Sequence, residues 1–219
     1  MTKIKICGLT NLEDAHFAAR AGADLLGFVF YPKSPRYIEP LTARAIIREL
    51  KREFPTVLCI GLFVDEPIDL VRSVLDACML DVAQLHGHEP PAVVSALGGR
   101  AFRAIRPRSA AEADDALADF GVRTSPPDLL VDTYSAHKPG GTGEIGDWEL
   151  AAHVASQRNI LLAGGLTPQN VAAAIQRVHP WGVDVSSGVE SEPGRKSHQA
   201  IVAFIAAVQK VMNGKNSNR

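Results

Sequence analysis

The sequence predicts a single (β/α)8 barrel of parallel strands. Eight short apolar runs alternate with eight longer segments in which apolar residues recur at helical spacing. All eight units fall within residues 1–212, with no composition shift and no long linker between them. An open doubly wound sheet also alternates strands with helices, but eight units in this length favour a closed barrel.

The boundaries of the units follow from the apolar runs and the helix signals. The strands are predicted at residues 4–7, 25–30, 57–63, 82–85, 101–105, 129–132, 160–163 and 183–186. The helices are predicted at residues 12–21, 40–53, 67–77, 90–97, 110–117, 147–156, 168–178 and 198–212. Asn11, Pro67 and Pro168 suit helix entries. Residues 213–219 are expected to form a flexible polar tail.

Composition narrows the class of protein. The 219 residues include 23 Lys and Arg against 24 Asp and Glu, so nothing in the net charge favours nucleic acid or a membrane surface as a partner. No segment approaches the ~20 apolar residues of a membrane span, and no secretory leader is apparent. Three cysteines without metal-site or redox-pair spacing indicate reduced thiols. A cytoplasmic protein that captures any anion locally is therefore expected.

In such a barrel the reacting groups come from the carboxyl ends of the strands and the loops that follow, because these ends converge on one mouth. Arg36 lies in the loop after the second strand. The other polar or glycine-rich strand ends are Cys7, Gln84, His86, Arg103, Arg106, Asp132, Gly164, Gly165, Ser186, Ser187 and Gly188.

Two glycine-rich strand ends indicate a phosphate site. Gly164 and Gly165 follow the seventh strand, and Ser186, Ser187 and Gly188 follow the eighth. Glycine lets the backbone approach an anion closely, and successive N–H groups with a helix N-terminus attract it. The alternative is that the glycines only make tight turns, but their pairing at these two loops favours the phosphate.

Each remaining candidate has a structural alternative. Cys7, at the end of the first strand, is either a reacting thiol or a small buried hydrophobe. Asp132 is either a loop cap or a catalytic acid or base, and position alone does not decide between them. The glycine-rich segment 140–143 is either an ordinary loop or a flap over a substrate. His86 caps its loop or touches substrate; without a second ligand cluster, a metal site is not expected.

Lys5 and Asp184 are expected to form an ion pair inside the barrel. Each precedes a candidate site residue, Cys7 or Ser186, by two positions, so it points to the same side of its strand one layer below the mouth. The first and eighth strands are neighbours in a closed barrel. The two charges therefore lie within reach of each other.

The ordered motifs of the chain resemble those of the phosphoribosylanthranilate isomerase family. The similarity covers essentially the whole chain and is carried by KICGLTNLEDA, GFVFYPKSPRYI, QLHGHE, LLVDT, GGTG, AGGLTPQNV and VDVSSGVE. The resemblance implies a (β/α)8 barrel that performs an Amadori rearrangement on a phosphorylated aminosugar in tryptophan biosynthesis, with neither metal nor organic cofactor. A monomer or homodimer is expected.

The resemblance also implies roles for individual residues. Cys7 matches the general base of the family and Asp132 its general acid. Arg36 is implied to bind the anthranilate carboxylate, for which its planar fork is suited. His86 is expected to bind substrate. The implied phosphate ligands are Gly141, Gly164, Gly165, Ser186, Ser187 and Gly188.

Three other functions remain as alternatives. A barrel that also isomerises a histidine-pathway aminoaldose phosphate is expected to use two aspartates, but Cys7 fills one of those places. A phosphosugar-binding module without catalysis is disfavoured by the presence of both Cys7 and Asp132. Indole-glycerol-phosphate synthase is expected to carry an N-terminal extension and a catalytic lysine, and this chain begins almost at its first strand.

Overall fold

The computed structural model describes residues 1–133 and 147–216, and these form a closed barrel of eight parallel strands. The strands follow one another around the barrel in chain order, and the eighth pairs with the first. The predicted fold class is therefore confirmed. No helix in the described ranges is both long and apolar enough to cross a membrane.

The barrel strands begin and end close to the predicted positions. They are β1 Lys3–Cys7, β2 Leu25–Val29, β3 Leu58–Phe63, β4 Val82–Leu85, β5 Ala101–Ile105, β6 Leu129–Asp132, β7 Ile160–Ala163 and β8 Gly182–Val185. The helices are α1 Leu12–Ala21, α2 Pro40–Glu53, α3 Ile68–Ala77, α4 Pro91–Ala96, α5 Ala110–Asp119, α6 Trp148–Ala155, α7 Val171–Val178 and α8 His198–Asn216.

The strands are mostly apolar because both of their faces are buried, with Lys5, Gln84 and Asp184 among the polar exceptions. Side chains such as Ile60, Phe102 and Leu161 fill the barrel interior. The alternate side chains, such as Ile6 and Phe28, pack against the surrounding helices. This double burial is characteristic of all-parallel sheets and explains the continuous apolar runs in the sequence.

Helix ends follow local capping chemistry, with one difference from prediction. Asn11 caps α1 by accepting a hydrogen bond from the Asp14 N–H at 2.8 Å, as expected. In contrast, α7 begins at Val171, three residues later than predicted. There the Asn170 side chain accepts a hydrogen bond from the Thr167 N–H at 2.8 Å and forms a turn before the helix.

An unpredicted insertion follows β8. It consists of a short 3-10 helix at Ser187–Val189 and a two-stranded hairpin of β9 Glu190–Glu192 and β10 Arg195–Lys196. The buried Asp14 carboxylate accepts a hydrogen bond from the Lys196 N–H at 2.9 Å, which ties the hairpin to α1. The hairpin therefore lies beside the mouth of the barrel, next to β1.

The C-terminal helix is longer than predicted. It continues to Asn216, four residues past the expected end at 212, so it takes up more than half of the segment predicted as a tail. Polar residues can extend an exposed helix without packing, which removes the sequence signal for its end. Residues 217–219 lie outside the described residues.

The predicted ion pair inside the barrel is confirmed. Lys5 of β1 lies opposite Asp184 of β8 in the strand register, and its Nζ is 3.1 Å from Asp184 Oδ1. The Lys5 side chain is completely buried. Burial alone lowers the pKa of Lys5, but the charges of Asp184 and Cys7 outweigh it and raise that pKa above its ordinary value.

Replacing Lys5 by Met is expected to lower the free energy of unfolding by about 3 to 5 kcal/mol, because it leaves the Asp184 carboxylate buried without its partner. Urea denaturation measures the change. Lys3→Met is the matched control, since the Lys3 pair with Asp24 at 2.7 Å is partly exposed and contributes at most about 1 kcal/mol. Equal losses in the two variants would contradict the assignment of a buried pair.

Candidate active site

Cys7 and Asp132 point into the same mouth of the barrel. Each is the last residue of its strand, β1 or β6, and two strands, β7 and β8, separate them around the barrel. The Cys7 side chain is buried and Asp132 is half-buried. Gly27 lies opposite Cys7 in the register, and a Cβ at Gly27 would lie only 2.7 Å from the sulfur, so this glycine provides the room for the thiol.

The thiol lies directly above the buried ion pair. Burial raises the pKa of Cys7, and the Asp184 charge raises it further. The Lys5 charge and a hydrogen bond from Lys5 lower this pKa, and the charge of Lys196 adds a smaller effect in the same direction. The balance of these effects raises the pKa of Cys7 above its ordinary value, and two cations are placed to stabilise its thiolate form.

Asp132 contacts two nitrogen-bearing side chains. Its Oδ2 accepts a hydrogen bond from Arg106 Nε at 3.1 Å and lies 3.5 Å from His86 Nε2. The amide nitrogen of the buried Gln84 lies 2.8 Å from His86 Nδ1. With the amide in this orientation Nδ1 is the acceptor, so the imidazole proton lies on Nε2 and faces Asp132. His86 thus belongs to the surroundings of the carboxyl group.

Arg36 is held by a residue that the sequence did not single out. Its Nε and Nη2 bind the two carboxylate oxygens of Glu190 at 2.8 and 2.6 Å. Lys196 Nζ lies 2.8 Å from Glu190 Oε1 and donates to the Ser186 carbonyl at 3.2 Å. The stem of Arg36 passes over Gly8, where a Cβ would collide with it. The three charged side chains lie beside Cys7.

Two signals in the sequence point to this network. Glu190 ends the motif VDVSSGVE, and the dipeptide Pro193-Gly194 is typical of a turn between short strands. A hairpin centred on that turn brings Lys196 back beside Glu190.

The two predicted phosphate loops come into contact. Gly164 and Gly165 have φ values of +100° and +65°, which L side chains rarely adopt. Gly188 lies so close to the Leu166 carbonyl that an added Cβ would collide with the oxygen. These loops therefore form one concave, glycine-lined edge next to Ser187. Gly141 and the rest of the segment 140–143 lie outside the described residues.

The Ser186 hydroxyl lies next to Gly8 and the stem of Arg36, where its oxygen is buried and has no hydrogen-bond partner among the described residues. The Ser186 carbonyl accepts from Lys196. Ser186 thus joins the phosphate loop to the Arg36 network.

The loop after β4 contains His88 and is contacted by Arg103 from the middle of β5. Arg103 Nη1 pairs with Glu89 at 3.1 Å and donates to the Leu85 carbonyl at 2.8 Å, so it supports that loop. His88 is 97% exposed and lies 3.4 Å from Asp65.

Across residues 1–133 and 147–216, no group of three or more His, Cys, Asp or Glu side chains is arranged to hold a metal ion.

Curated relatives match nearly the full length of the chain. A protein named N-(5'-phosphoribosyl)anthranilate isomerase from Geobacter sp. strain M21 is 50% identical over 211 residues, covering 96% of this chain and 100% of the relative. The protein of that name from Thiobacillus denitrificans is 47% identical over 93% of this chain and 96% of its own length.

Solved structures agree with the sequence relatives. The crystal structure of phosphoribosyl anthranilate isomerase from Thermotoga maritima superposes with a TM-score of 0.85 at 41% identity, covering 96% of this chain and 100% of that one. A second structure, at 40% identity, a TM-score of 0.82 and the same coverage, contains reduced 1-(o-carboxyphenylamino)-1-deoxyribulose 5-phosphate. The family model described as N-(5'phosphoribosyl)anthranilate (PRA) isomerase matches residues 4–207. This chain therefore belongs to the phosphoribosylanthranilate isomerase family.

Proposed function

We propose that the chain isomerises N-(5-phosphoribosyl)anthranilate to 1-(2-carboxyphenylamino)-1-deoxyribulose 5-phosphate, an Amadori rearrangement of tryptophan biosynthesis. The observation that carries the proposal is a thiol and a carboxyl group at the same mouth of a barrel that belongs to this family. A relative at 40% identity binds the reduced form of the product. The same type of phosphorylated aminosugar is the substrate here.

The two ends of the substrate bind on different parts of the mouth. The phosphate binds to the glycine-lined loops at Gly164, Gly165, Ser187 and Gly188, with Ser186 and Gly141 as the remaining ligands implied by the motifs. The anthranilate carboxylate binds to Arg36, whose planar cation suits a carboxylate. The pairing of β1 with β8 supports a site shared by these groups, since it places Cys7 at the end of the strand next to the one that leads into Ser186 and Glu190.

Asp132 acts as the general acid. It donates a proton to the furanose ring oxygen as the bond between that oxygen and C1 breaks. The lone pair of the anthranilate nitrogen forms a double bond to C1, which gives an open-chain iminium ion. His86 lies 3.5 Å from the same carboxyl oxygen and orients this group.

Cys7 acts as the general base. The positively charged iminium nitrogen acidifies the hydrogen on C2, and the thiolate removes it. The electrons of that C–H bond form a C1–C2 double bond and neutralise the nitrogen. The resulting enolamine tautomerises to the ketone product. Because the substrate's own nitrogen accepts the electrons, this route draws on no group beyond the substrate and the chain.

The required protonation states explain why Lys5 matters. At neutral pH the ordinary states of these groups are a thiol and a carboxylate, since free cysteine has a pKa of about 8.5 and free aspartate about 3.9. The catalytic state, a thiolate with a carboxylic acid, contains the same number of protons. The fraction of enzyme molecules in this catalytic state is therefore constant at any pH between the pKa of Asp132 and the pKa of Cys7. This fraction increases as the pKa of Cys7 falls.

The cellular location and the oligomeric state of the chain are further parts of this proposal. All three cysteines are free, which fits a reducing compartment and supports the cytoplasm as the location. A relative from Thermotoga maritima is described as dimeric and also as monomers generated from that dimer. A monomer or a homodimer remains the prediction for this chain.

Cys7→Ala and Asp132→Asn are each expected to lower kcat by about 100-fold to 10,000-fold, because each removes one proton-transfer group. Loss of substrate fluorescence during turnover measures the rate. Both variants should bind the reduced product analogue with about the parental affinity. A variant that keeps parental kcat would remove that residue from the mechanism, and a parent that binds phosphosugars without turnover would indicate a binding module.

Lys5→Met and Asp184→Asn are expected to shift the pH profile in opposite directions. In the parent, kcat/KM stays level until the pH reaches the raised pKa of Cys7, above the ordinary value of about 8.5. Loss of the Lys5 charge raises the pKa of Cys7, so kcat/KM begins to fall at a higher pH and its constant value below that pH is lower. Loss of the Asp184 charge lowers the pKa of Cys7, so kcat/KM begins to fall at a lower pH.

Profiles of kcat/KM from about pH 7 to about pH 10.5, on preparations checked for folding, measure both shifts. Shifts in the same direction would show that the pair supports only the fold. That result would leave the assignment of Cys7 as the base in place but would remove Lys5 and Asp184 from the control of its charge.

Gly188→Ala is expected to weaken the binding of ribulose 5-phosphate by about tenfold or more, because the added methyl group forces the two phosphate loops apart. Calorimetric titration measures the dissociation constant. Gly121→Ala is the matched control, since a Cβ at that position meets nothing within 4 Å. Equal affinities in the parent and Gly188→Ala would place the phosphate elsewhere.

A further inference from the structure

The Arg36 guanidinium is bound on one edge before any substrate is present. Glu190 takes the edge formed by Nε and Nη2, with both contacts shorter than 2.9 Å. A planar guanidinium has a second edge, formed by Nη1 and Nη2, that can bind another carboxylate. The Glu190 contact therefore fixes the plane of the cation and leaves this second edge for a ligand.

Burial makes the arrangement rigid. Glu190 is 5% exposed and Lys196 is fully buried, whereas Arg36 is 24% exposed. Burial alone raises the pKa of Glu190, but hydrogen bonds from Arg36 and Lys196 outweigh it and hold that pKa below its usual value. Glu190 is therefore ionised and fixed between two cations, and Arg36 is the member of the network that solvent and ligands reach.

The charges of the network leave one cation in excess. Arg36 and Lys196 contribute two positive charges and Glu190 one negative charge. Cys7 lies close enough to interact with both Lys196 and Arg36. A bound carboxylate on the free edge of Arg36 would balance the excess charge. The network is thus suited to an anion in a fixed orientation.

We propose that Glu190 is a positioning residue that determines the preference for a carboxylated aromatic amine. By holding one edge of Arg36, it aims the other edge at the carboxylate ortho to the substrate nitrogen. Lys196 keeps Glu190 in place through their contact at 2.8 Å. This inference rests on the proposed function, since it takes Arg36 as the carboxylate-binding residue.

The test compares two ligands that differ only in the carboxylate. They are reduced 1-(o-carboxyphenylamino)-1-deoxyribulose 5-phosphate and its counterpart with an unsubstituted phenyl ring. Calorimetry gives the ratio of their dissociation constants, which is the carboxylate preference. In the parent we expect a preference of about 100-fold, since two charge-assisted hydrogen bonds are gained. In Glu190→Gln we expect it to fall below about tenfold, with binding of the phenyl ligand unchanged.

A competing explanation predicts the opposite result. If Glu190 only occupies Arg36 and must be displaced by substrate, Glu190→Gln frees the guanidinium and increases the carboxylate preference. An increase or an unchanged preference would overturn the proposal. Glu192→Gln, at an exposed position of the same hairpin, is the matched control and should keep the parental preference.

Two further measurements distinguish a failure of this proposal from misfolding of a variant and from a failure of the proposed function. Glu190→Asp keeps the charge but shortens the side chain, so it should give an intermediate preference even if Glu190→Gln does not fold. Turnover of phosphoribosylanthranilate by the parent tests the proposed function in the same preparation. If the parent turns over the substrate and both Glu190 variants keep the parental carboxylate preference, this inference alone is overturned. If the parent shows no turnover, the proposed function and this inference are both overturned.

Discussion

The buried contact between Lys5 and Asp184 joins the closure of the barrel to its chemistry. The two residues lie opposite each other only because β1 and β8 are neighbours, so the contact can form only when the sheet closes. A buried pair of this kind requires good geometry to offset the loss of hydration. Its lysine lies directly below Cys7 and favours the thiolate, while burial favours the thiol. The same charges therefore link the first and last strands and act on the pKa of the Cys7 thiol.

The two sides of the mouth have different surroundings, as acid and base require. On the Cys7 side, Lys5 and Lys196 supply positive charge close to a buried sulfur. On the other side, Asp132 lies in a more open position, in contact with His86 and Arg106. The mechanism needs a thiolate and a carboxylic acid at the same time, and strands β7 and β8 keep the two groups apart around the mouth. In the proposed mechanism, the substrate binds between them.

The barrel and its mouth could be predicted because they depend on local patterns and on one topological rule. This rule is that the first and last strands of a closed barrel are neighbours. Apolar runs located all eight strands, and strand alternation placed Lys5 below Cys7 and beside Asp184. The network around Arg36 could not be predicted in this way, because it depends on a hairpin whose strands have three and two residues and therefore no measurable periodicity. Family resemblance implies a role for Arg36 but not its partner Glu190. Lys5 and Asp184 could be paired because their strands are neighbours in a closed barrel, whereas no strand register relates Arg36 to Glu190.

We propose that one aminosugar lies between Cys7 and Asp132, with its phosphate and its carboxylate held at separate sites. A crystal structure of the protein with reduced 1-(o-carboxyphenylamino)-1-deoxyribulose 5-phosphate tests it most directly. We expect the Cys7 sulfur within about 3.5 Å of C2 or its hydrogen, Asp132 at the former ring oxygen, and the carboxylate on Arg36. A ligand that has its phosphate in the glycine-lined loops but C2 out of reach of the sulfur would contradict the proposed role of Cys7.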